Sequence, residues 1–165
     1  MSNTIRFLLG LCLTSAAHCY AADQQPSCPP VAFPVTELRV IKASGWQMAD
    51  AERRQLFALG LQACLSDPDP ELRDGVAFEG LSAMMREKLL STDTLTRIYQ
   101  DQLMQLGSTT DDPTGFAKPF AALVLAEVAR ADRLQPFLSA RQRNTLLEAA
   151  TGYLRGVGDY RGFTP

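Results

Sequence analysis

Apolar residues recur every three or four positions through most of the chain after residue 50, which is the spacing of one face of an α-helix. This pattern predicts five long helices and a shorter one before them. No segment alternates in the manner of a convincing strand. The short helix is placed at Thr36–Ala43, and the long ones at about Ala51–Leu65, Pro70–Lys88, Asp93–Leu106, Phe116–Asp132 and Ser139 to Arg155.

Residues at the predicted helix ends support these boundaries. Asp50, Asp69 and either Ser91 or Thr92 are each expected to accept hydrogen bonds from the first turn of a helix. The Ser139 and Gln142 pair forms a capping box before the last helix. Gly107 is expected just beyond the end of its helix, since glycine tolerates the left-handed conformation found there.

The last two helices have unusual apolar faces. Phe116–Asp132 is apolar all round at its centre, so we expect it to be covered on several sides. The last helix has a wide apolar arc that we expect to face inward, with part of it near Tyr153–Phe163 left exposed for self-association or partner binding. Alternatively, the tail folds back and covers that part. The arc comprises Leu146, Leu147, Ala150, Tyr153, Leu154 and Val157.

Short turns between these helices predict antiparallel neighbours. The turn Asp67–Arg73 (DPDPELR) resembles the inter-helix turn of HEAT repeats, in which an aspartate and an arginine hold neighbouring helix pairs. The predicted fold is therefore all-α, with antiparallel helix pairs in a HEAT-like α–α superhelical stack. A second repeat of the same spacing is not visible.

The first 21 residues have the layout of a secretory signal peptide. Met1–Arg6 is positively charged, Phe7–Leu13 is apolar, and small residues precede Ala21. The apolar run is far shorter than the ~20 residues that span a bilayer, and no later segment qualifies. We expect cleavage near Ala21 and export to the periplasm or the extracellular space. The predicted organisation is a signal peptide at 1–21, a proline-rich arm and short helix at 22–49, and a helical domain at 50–165.

Composition and charge exclude several classes of function. The 165 residues are 46% hydrophobic with a net charge of −2, so no large basic field exists to attract nucleic acid. The single histidine, His18, is lost with the signal peptide. The mature chain then lacks the histidine that Ser-His-Asp and H-E-x-x-H sites require, and we predict no metal and no cofactor.

Two cysteines, Cys28 and Cys64, remain in the mature chain. A metal pair or a redox pair would be possible, but there is no C-x-x-C motif and no histidine ligand. In an oxidising compartment the two thiols are expected to form a structural disulfide.

The candidate polar site comprises Glu127, Asp74, Arg73 and Arg161. Glu127 lies in the most apolar helix, where burial would raise its pKa and suit a general acid. The alternative is an ion pair with Arg130 or with an arginine of another helix. Arg73 and Asp74 are expected to form a structural pair near the turn. Arg161 would either clamp an anion or cap helix carbonyls in a packed turn.

The sequence also resembles the bacterial family called domain of unknown function 2785 (DUF2785). The segments that carry the resemblance are Ala58–Arg86, Gly115–Leu134 and Tyr153–Phe163, together with the CPP arm at Cys28–Pro30. The resemblance implies an all-helical, HEAT-like fold and no assigned activity. Compared with that family, the chain is expected to lack a C-terminal segment.

Two hypotheses for function follow. The first is an exported helical-repeat interaction or scaffold domain that binds a protein or peptide, which the shortage of catalytic residue types favours. The alternative is a periplasmic carboxylate-based enzyme acting on a cell-wall or sugar substrate. That enzyme would need a cleft that joins Glu127 to a second acid.

Overall fold

The computed structural model describes residues 27–158, which form helices joined by loops and contain no strand. The all-α class is therefore confirmed. Residues 70–86 form one continuous helix, in which a π-helical stretch at Arg73–Phe78 joins two α-helical parts. The helices are α1 (Val35–Ala43), α2 (Ala51–Leu61), α3 (Pro70–Leu72), α4 (Glu79–Arg86), α5 (Thr92–Gly107), α6 (Ala117–Leu134) and α7 (Ala140–Gly156).

The helices pack in two layers. α2, α5 and α7 lie side by side in one layer, and α4 and α6 lie together in the other. α2 packs on α4 and α5 packs on α6, so the two layers are built from successive helix pairs. α7 packs on α5 but barely contacts α6. Among the described residues, no second-layer helix is paired with α7.

The core lies between the two layers. Fully buried side chains from both layers and from α1 meet there, and each buried leucine or phenylalanine of this size stabilises the fold by about 1.5–3 kcal/mol. The largest of them are Phe57, Leu38, Leu61, Leu81, Met84, Ile98, Val124 and Val128.

The segment before α1 packs against α2 and is linked to the turn that follows α2 by a disulfide. The rings of Phe33 and Phe57 meet edge to face, with centroids 4.9 Å apart. Pro30 lies so close to Gly60 that a Cβ atom there would be 3.0 Å from the proline ring. The predicted disulfide between Cys28 and Cys64 is confirmed, with Cα atoms 4.9 Å apart.

The predicted helix starts are confirmed by their caps. The side chain of Asp50 accepts a hydrogen bond from the Arg53 N–H, and that of Asp69 accepts one from the Glu71 N–H. The capping box of Ser139 and Gln142 is present in full. These starts were predictable because each cap acts within its own first turn.

Several predicted helix ends differ from the structure. The helix expected to reach Leu65 ends at Leu61 and continues as a 3₁₀ turn over Gln62–Cys64. The helix expected to reach Lys88 ends at Arg86, because Lys88 adopts a φ of 57°. Gly107 is the last residue of α5 rather than the residue beyond it.

Both predictions about apolar faces were wrong in part. α6 packs on both α4 and α5, but its apolar centre is not covered all round, because Leu123 remains 45% exposed and Ala126 is exposed. In α7, Leu147 and Leu154 do not face inward. The reason is that α7 contacts its neighbours along one edge, through partly buried residues such as Leu146 and Tyr153. No residue of α7 is fully buried.

Candidate functional site

Arg73 is a buried arginine at the start of the π-helical stretch. Its Nη1 donates to the carbonyl oxygens of Asp67 and Pro68, at 2.9 and 3.2 Å. Its other two guanidinium nitrogens donate to the Asp74 carboxylate. The guanidinium also stacks on the ring of Phe116, 3.7 Å from the centroid. Arg73 therefore links the turn before α3 to the segment that leads into α6.

Glu127 lies between two arginines, and its side chain is 12% exposed. Arg86 of α4 and Arg130 of α6 both donate to its carboxylate, the latter over 2.7 Å. Hydrogen bonds from Arg86 first, and from Arg130, outweigh burial and hold the pKa of Glu127 below its usual range. The carboxyl group is thus ionised at neutral pH, whereas a general acid requires a raised pKa.

The structure does not bring the candidate residues together. Arg73 and Asp74 lie beside Phe116, at the start of α6, whereas Glu127 lies about 16 Å further along this helix at ~1.5 Å per residue. Arg161 lies outside the described residues. Each described candidate is held in an ion pair.

Asp132, near the end of α6, is a buried carboxylate that the sequence analysis missed. It accepts hydrogen bonds from the N–H groups of Phe137 and Leu138, at 2.8 and 2.7 Å, and from Arg143 of α7, at 2.6 Å. Arg143 is the largest influence, and together these donors lower the pKa of Asp132 to about 2. The side chain therefore fixes the α6–α7 loop and the start of α7. The sequence offered one signal for this interaction: Asp132 is an acidic residue at the end of one predicted helix, seven residues before the N-cap residue of the next.

We expect Asp132→Asn to lower the free energy of unfolding by about 2 kcal/mol at pH 7. The folded-state pKa is below the unfolded value of 3.8. The carboxylate therefore stabilises the fold above pH 3.8, and that contribution is lost as the pH falls toward about 2. Urea titrations at several pH values should show stability falling less between pH 4 and 2 in the variant than in the parent. Equal pH slopes would contradict this linkage.

An apolar groove runs between α6 and α7 and encloses about 640 Å³. Leu147 and Leu154 on its α7 side are 66% and 63% exposed. Small residues of α6, together with the buried Leu125, form its floor, and the Asp132–Arg143 pair closes one end. The lining residues are Leu106, Ala122, Leu125, Ala126, Ala129, Asp132, Arg133, Leu138, Arg143, Leu146, Leu147, Ala150, Tyr153 and Leu154.

The family model described as "Protein of unknown function (DUF2785)" matches residues 102–165. We call residues 102–165 the DUF2785 region, after the family model that matches them. The resemblance seen in the sequence is thereby confirmed for Gly115–Leu134 and Tyr153–Phe163, while Ala58–Arg86 lies outside the match. The family description assigns no activity. No curated protein and no solved structure matches the chain.

Every residue that lines the apolar groove lies inside the DUF2785 region. Glu127 and Asp132 lie there too. Arg73, Asp74 and the disulfide precede it. The groove is thus a surface feature that lies entirely within the family match.

A second groove, between α2 and α5, has a mixed polar and apolar lining and lies largely before the DUF2785 region. Gln102, which is buried, donates to Gln62 at 2.8 Å, and Gln62 donates to Asp101 at 3.1 Å. Asp101 is the one carboxylate among the described residues that line this groove. A carboxylate pair of the kind that glycoside hydrolysis needs is not assembled there.

Two further observations concern residues 27–158 as a whole. Within this range no three cysteine, aspartate or glutamate side chains are placed to hold a metal ion. Nor is any helix of this part of the chain both long and apolar enough to cross a lipid bilayer.

Proposed function

We propose that this protein is an exported interaction module whose α6–α7 groove binds an amphipathic helix of a partner protein. The observation that carries the proposal is the pair of leucines, Leu147 and Leu154, left exposed along an apolar groove. Burying each against a partner side chain would be worth about 1.5–3 kcal/mol.

The packing of the helices in two layers supports an α-helix as the ligand of the α6–α7 groove. α2 and α5 each have a second-layer partner, α4 and α6, but α7 has none among the described residues. The groove lies where the second layer would continue beside α6. A helix seated there would pack on both α6 and α7 at the usual separation of about 8–10 Å. Its apolar residues would recur at three- and four-residue intervals, as in other helix-in-groove complexes.

Two features support export. The disulfide between Cys28 and Cys64 is typical of oxidising compartments. The signal-peptide pattern occupies residues 1–21, which lie outside the described residues. N-terminal sequencing of the exported protein should begin at Ala22 or Asp23. A product that retains Met1 in the membrane fraction would contradict export by cleavage.

The groove can be tested with a labelled helical peptide of 18 residues that has leucines at three- and four-residue spacing and glutamine at its flanking positions. We expect Leu154→Glu to weaken binding of this peptide at least tenfold, because it places a charge in the groove. Fluorescence anisotropy measures the affinity. Leu56→Glu is the matched control, since Leu56 lies on α2 and is 64% exposed.

Binding that Leu154→Glu leaves intact would contradict the proposed site. Light scattering on the protein alone provides a second check. An oligomer dispersed by Leu154→Glu but not by Leu56→Glu would show that a second copy occupies the groove, against the proposal of a partner helix. A protein that is monomeric by light scattering and binds the peptide would support the proposal of a partner helix.

No observation among the described residues favours the alternative of a carboxylate-based enzyme. Glu127 is ionised and paired with Arg86 and Arg130. Asp132 is saturated by backbone and arginine donors. Neither is available to exchange a proton with a substrate.

A further inference from the structure

We propose that the second groove, which lies between α2 and α5 and is lined by Gln62, Gln102 and Gln105, binds an uncharged protein segment in extended conformation. This site is separate from the α6–α7 groove and does not depend on a partner helix there. The groove encloses about 660 Å³. That volume is within the range of about 300–1,000 Å³ that is usual for ligand sites.

Gln102 of α5 has an unused hydrogen-bond acceptor although its side chain is almost fully buried. The residue is 5% exposed, and its Nε2 donates to Gln62 Oε1 at 2.8 Å. Among the described residues, no donor reaches Gln102 Oε1, and this oxygen is not sealed off by the protein. Because Gln102 lines the groove, an N–H group of an occupant could pair with this acceptor.

Neighbouring side chains hold Gln102 in place. Gln62, which accepts from Gln102, donates in turn to Asp101 Oδ2 at 3.1 Å. Gln62 also lies in the 3₁₀ turn that contains Cys64, one end of the disulfide. The acceptor on Gln102 is therefore fixed before a ligand arrives, and binding costs less side-chain entropy than it would at a mobile residue.

Gln105 adds a second amide group to the same groove. It follows Gln102 by three residues on α5 and is partly buried. Within residues 27–158 its side chain has no hydrogen-bond partner. A carboxamide combines a carbonyl acceptor with N–H donors, as a peptide bond combines an acceptor with a donor. A peptide group of an occupant could therefore donate to Gln105 and accept from it at once.

The charged groups of the groove balance each other. Arg97 Nε and Asp101 Oδ2 lie 3.9 Å apart on α5, and both residues line the groove. They are the two charged residues among the described ones that line it, so the lining has one charge of each sign. Such a lining gives neither an anion nor a cation an advantage over an uncharged ligand.

An extended segment fits these groups better than a helix, a base or a sugar. A helix bonds its backbone N–H and C=O groups internally and has few to offer to glutamines. The described residues that line the groove include no aromatic side chain on which a base or a sugar ring could stack. An extended segment has free N–H and C=O groups, and its side chains could pack on Leu59 and Met104.

NMR spectroscopy of the ¹⁵N-labelled mature protein tests the proposal. The probe is an acetylated and amidated hexapeptide that alternates serine and valine, which is uncharged and favours an extended backbone. We expect the side-chain Nε2–H₂ signals of Gln102 and Gln105 to shift and saturate at or below about 5 mM peptide, the range of a weak complex. The same peptide with every backbone nitrogen methylated lacks N–H donors and should bind at least tenfold more weakly.

Variants separate binding from folding. Gln105→Ala should weaken binding about fivefold, the effect of about one hydrogen bond, and no described protein contact of that amide is lost. Gln102→Met removes the buried acceptor at similar size and should weaken binding by at least as much. Gln100→Met is the matched control on the exposed side of α5 and should bind like the parent. Leu154→Glu, in the α6–α7 groove, should also bind like the parent.

Several outcomes would overturn this site. One is the absence of saturating shifts at Gln102 and Gln105, and another is equal binding of the methylated peptide. Tighter binding after the serines are replaced by glutamate or lysine would overturn the uncharged class of ligand. Binding that Leu154→Glu weakens and Gln105→Ala does not would place the peptide in the α6–α7 groove, which overturns this site and leaves the proposed function intact.

Discussion

Replacing Arg73 with alanine is expected to lower the free energy of unfolding by about 3 kcal/mol. The side chain is 9% exposed and donates to two backbone carbonyls and a carboxylate. Removing it would leave the Asp67 and Pro68 carbonyl oxygens without this donor and would empty the space over Phe116. The loss of the stacked guanidinium adds to the cost of the broken hydrogen bonds.

Two comparison variants make this expectation specific. Arg39→Ala removes an arginine whose ion pair with Glu71 is largely exposed, so its cost should be only a small fraction of that of Arg73→Ala. Arg73→Lys keeps the charge but loses the planar fork and the stacking surface, and should recover less than half of the stability. Urea denaturation followed by circular dichroism gives all three values. A cost for Arg73→Ala no greater than that of Arg39→Ala would contradict the role described for Arg73.

Reducing the disulfide between Cys28 and Cys64 is expected to lower the free energy of unfolding by up to about 4 kcal/mol. The bond closes a loop between cysteines 36 positions apart, and opening it gives the unfolded chain more freedom. The folded state also weakens, since the bond holds Pro30 and Phe33 against α2. The figure is an upper value because the unfolded chain is already partly compact, so the bond removes less freedom than the chain-entropy model assumes.

Denaturation curves of the mature protein with and without a phosphine reductant measure this effect. The double variant Cys28→Ser and Cys64→Ala should resemble the reduced protein and should not respond to the reductant. Identical midpoints for the oxidised and reduced protein would show that the bond adds no stability. Alkylation after denaturation should find no free thiol in the oxidised protein.

The parts of the fold that could be predicted from sequence depend on local interactions. Asp50, Asp69 and Ser139 each cap a helix through bonds that span two or three residues. The helix ends were less accurate, because the end of a helix depends on what the next segment packs against. The π-helical stretch at Arg73–Phe78 was not predicted, since its apolar pattern is indistinguishable from that of an ordinary helix.

Contacts between distant residues explain the remaining differences. An ion pair of Glu127 with Arg130 or with an arginine of another helix was one of two expectations, but the sequence did not identify Arg86, which is 41 residues earlier in the chain. The apolar arc of α7 was visible, yet periodicity shows only that a face is apolar and not whether a neighbour covers it. The exposure of Leu147 and Leu154 follows from where α7 packs on α5, which only the structure gives.

Helix α5 begins at Thr92, ten residues before the start of the DUF2785 match. The boundary of the family match therefore falls inside a helix, which matters for choosing a fragment that folds. Thr94, Ile98 and Tyr99, three of the buried residues of α5, precede the match. α4, which packs on α6 and supplies Arg86 to Glu127, precedes it as well. The recognisable region and the autonomous folding unit therefore have different boundaries. A fragment cut at Gln102 would divide a helix and uncover the face of α6 that α4 and α5 bury, so the smallest cooperative unit includes both of those helices.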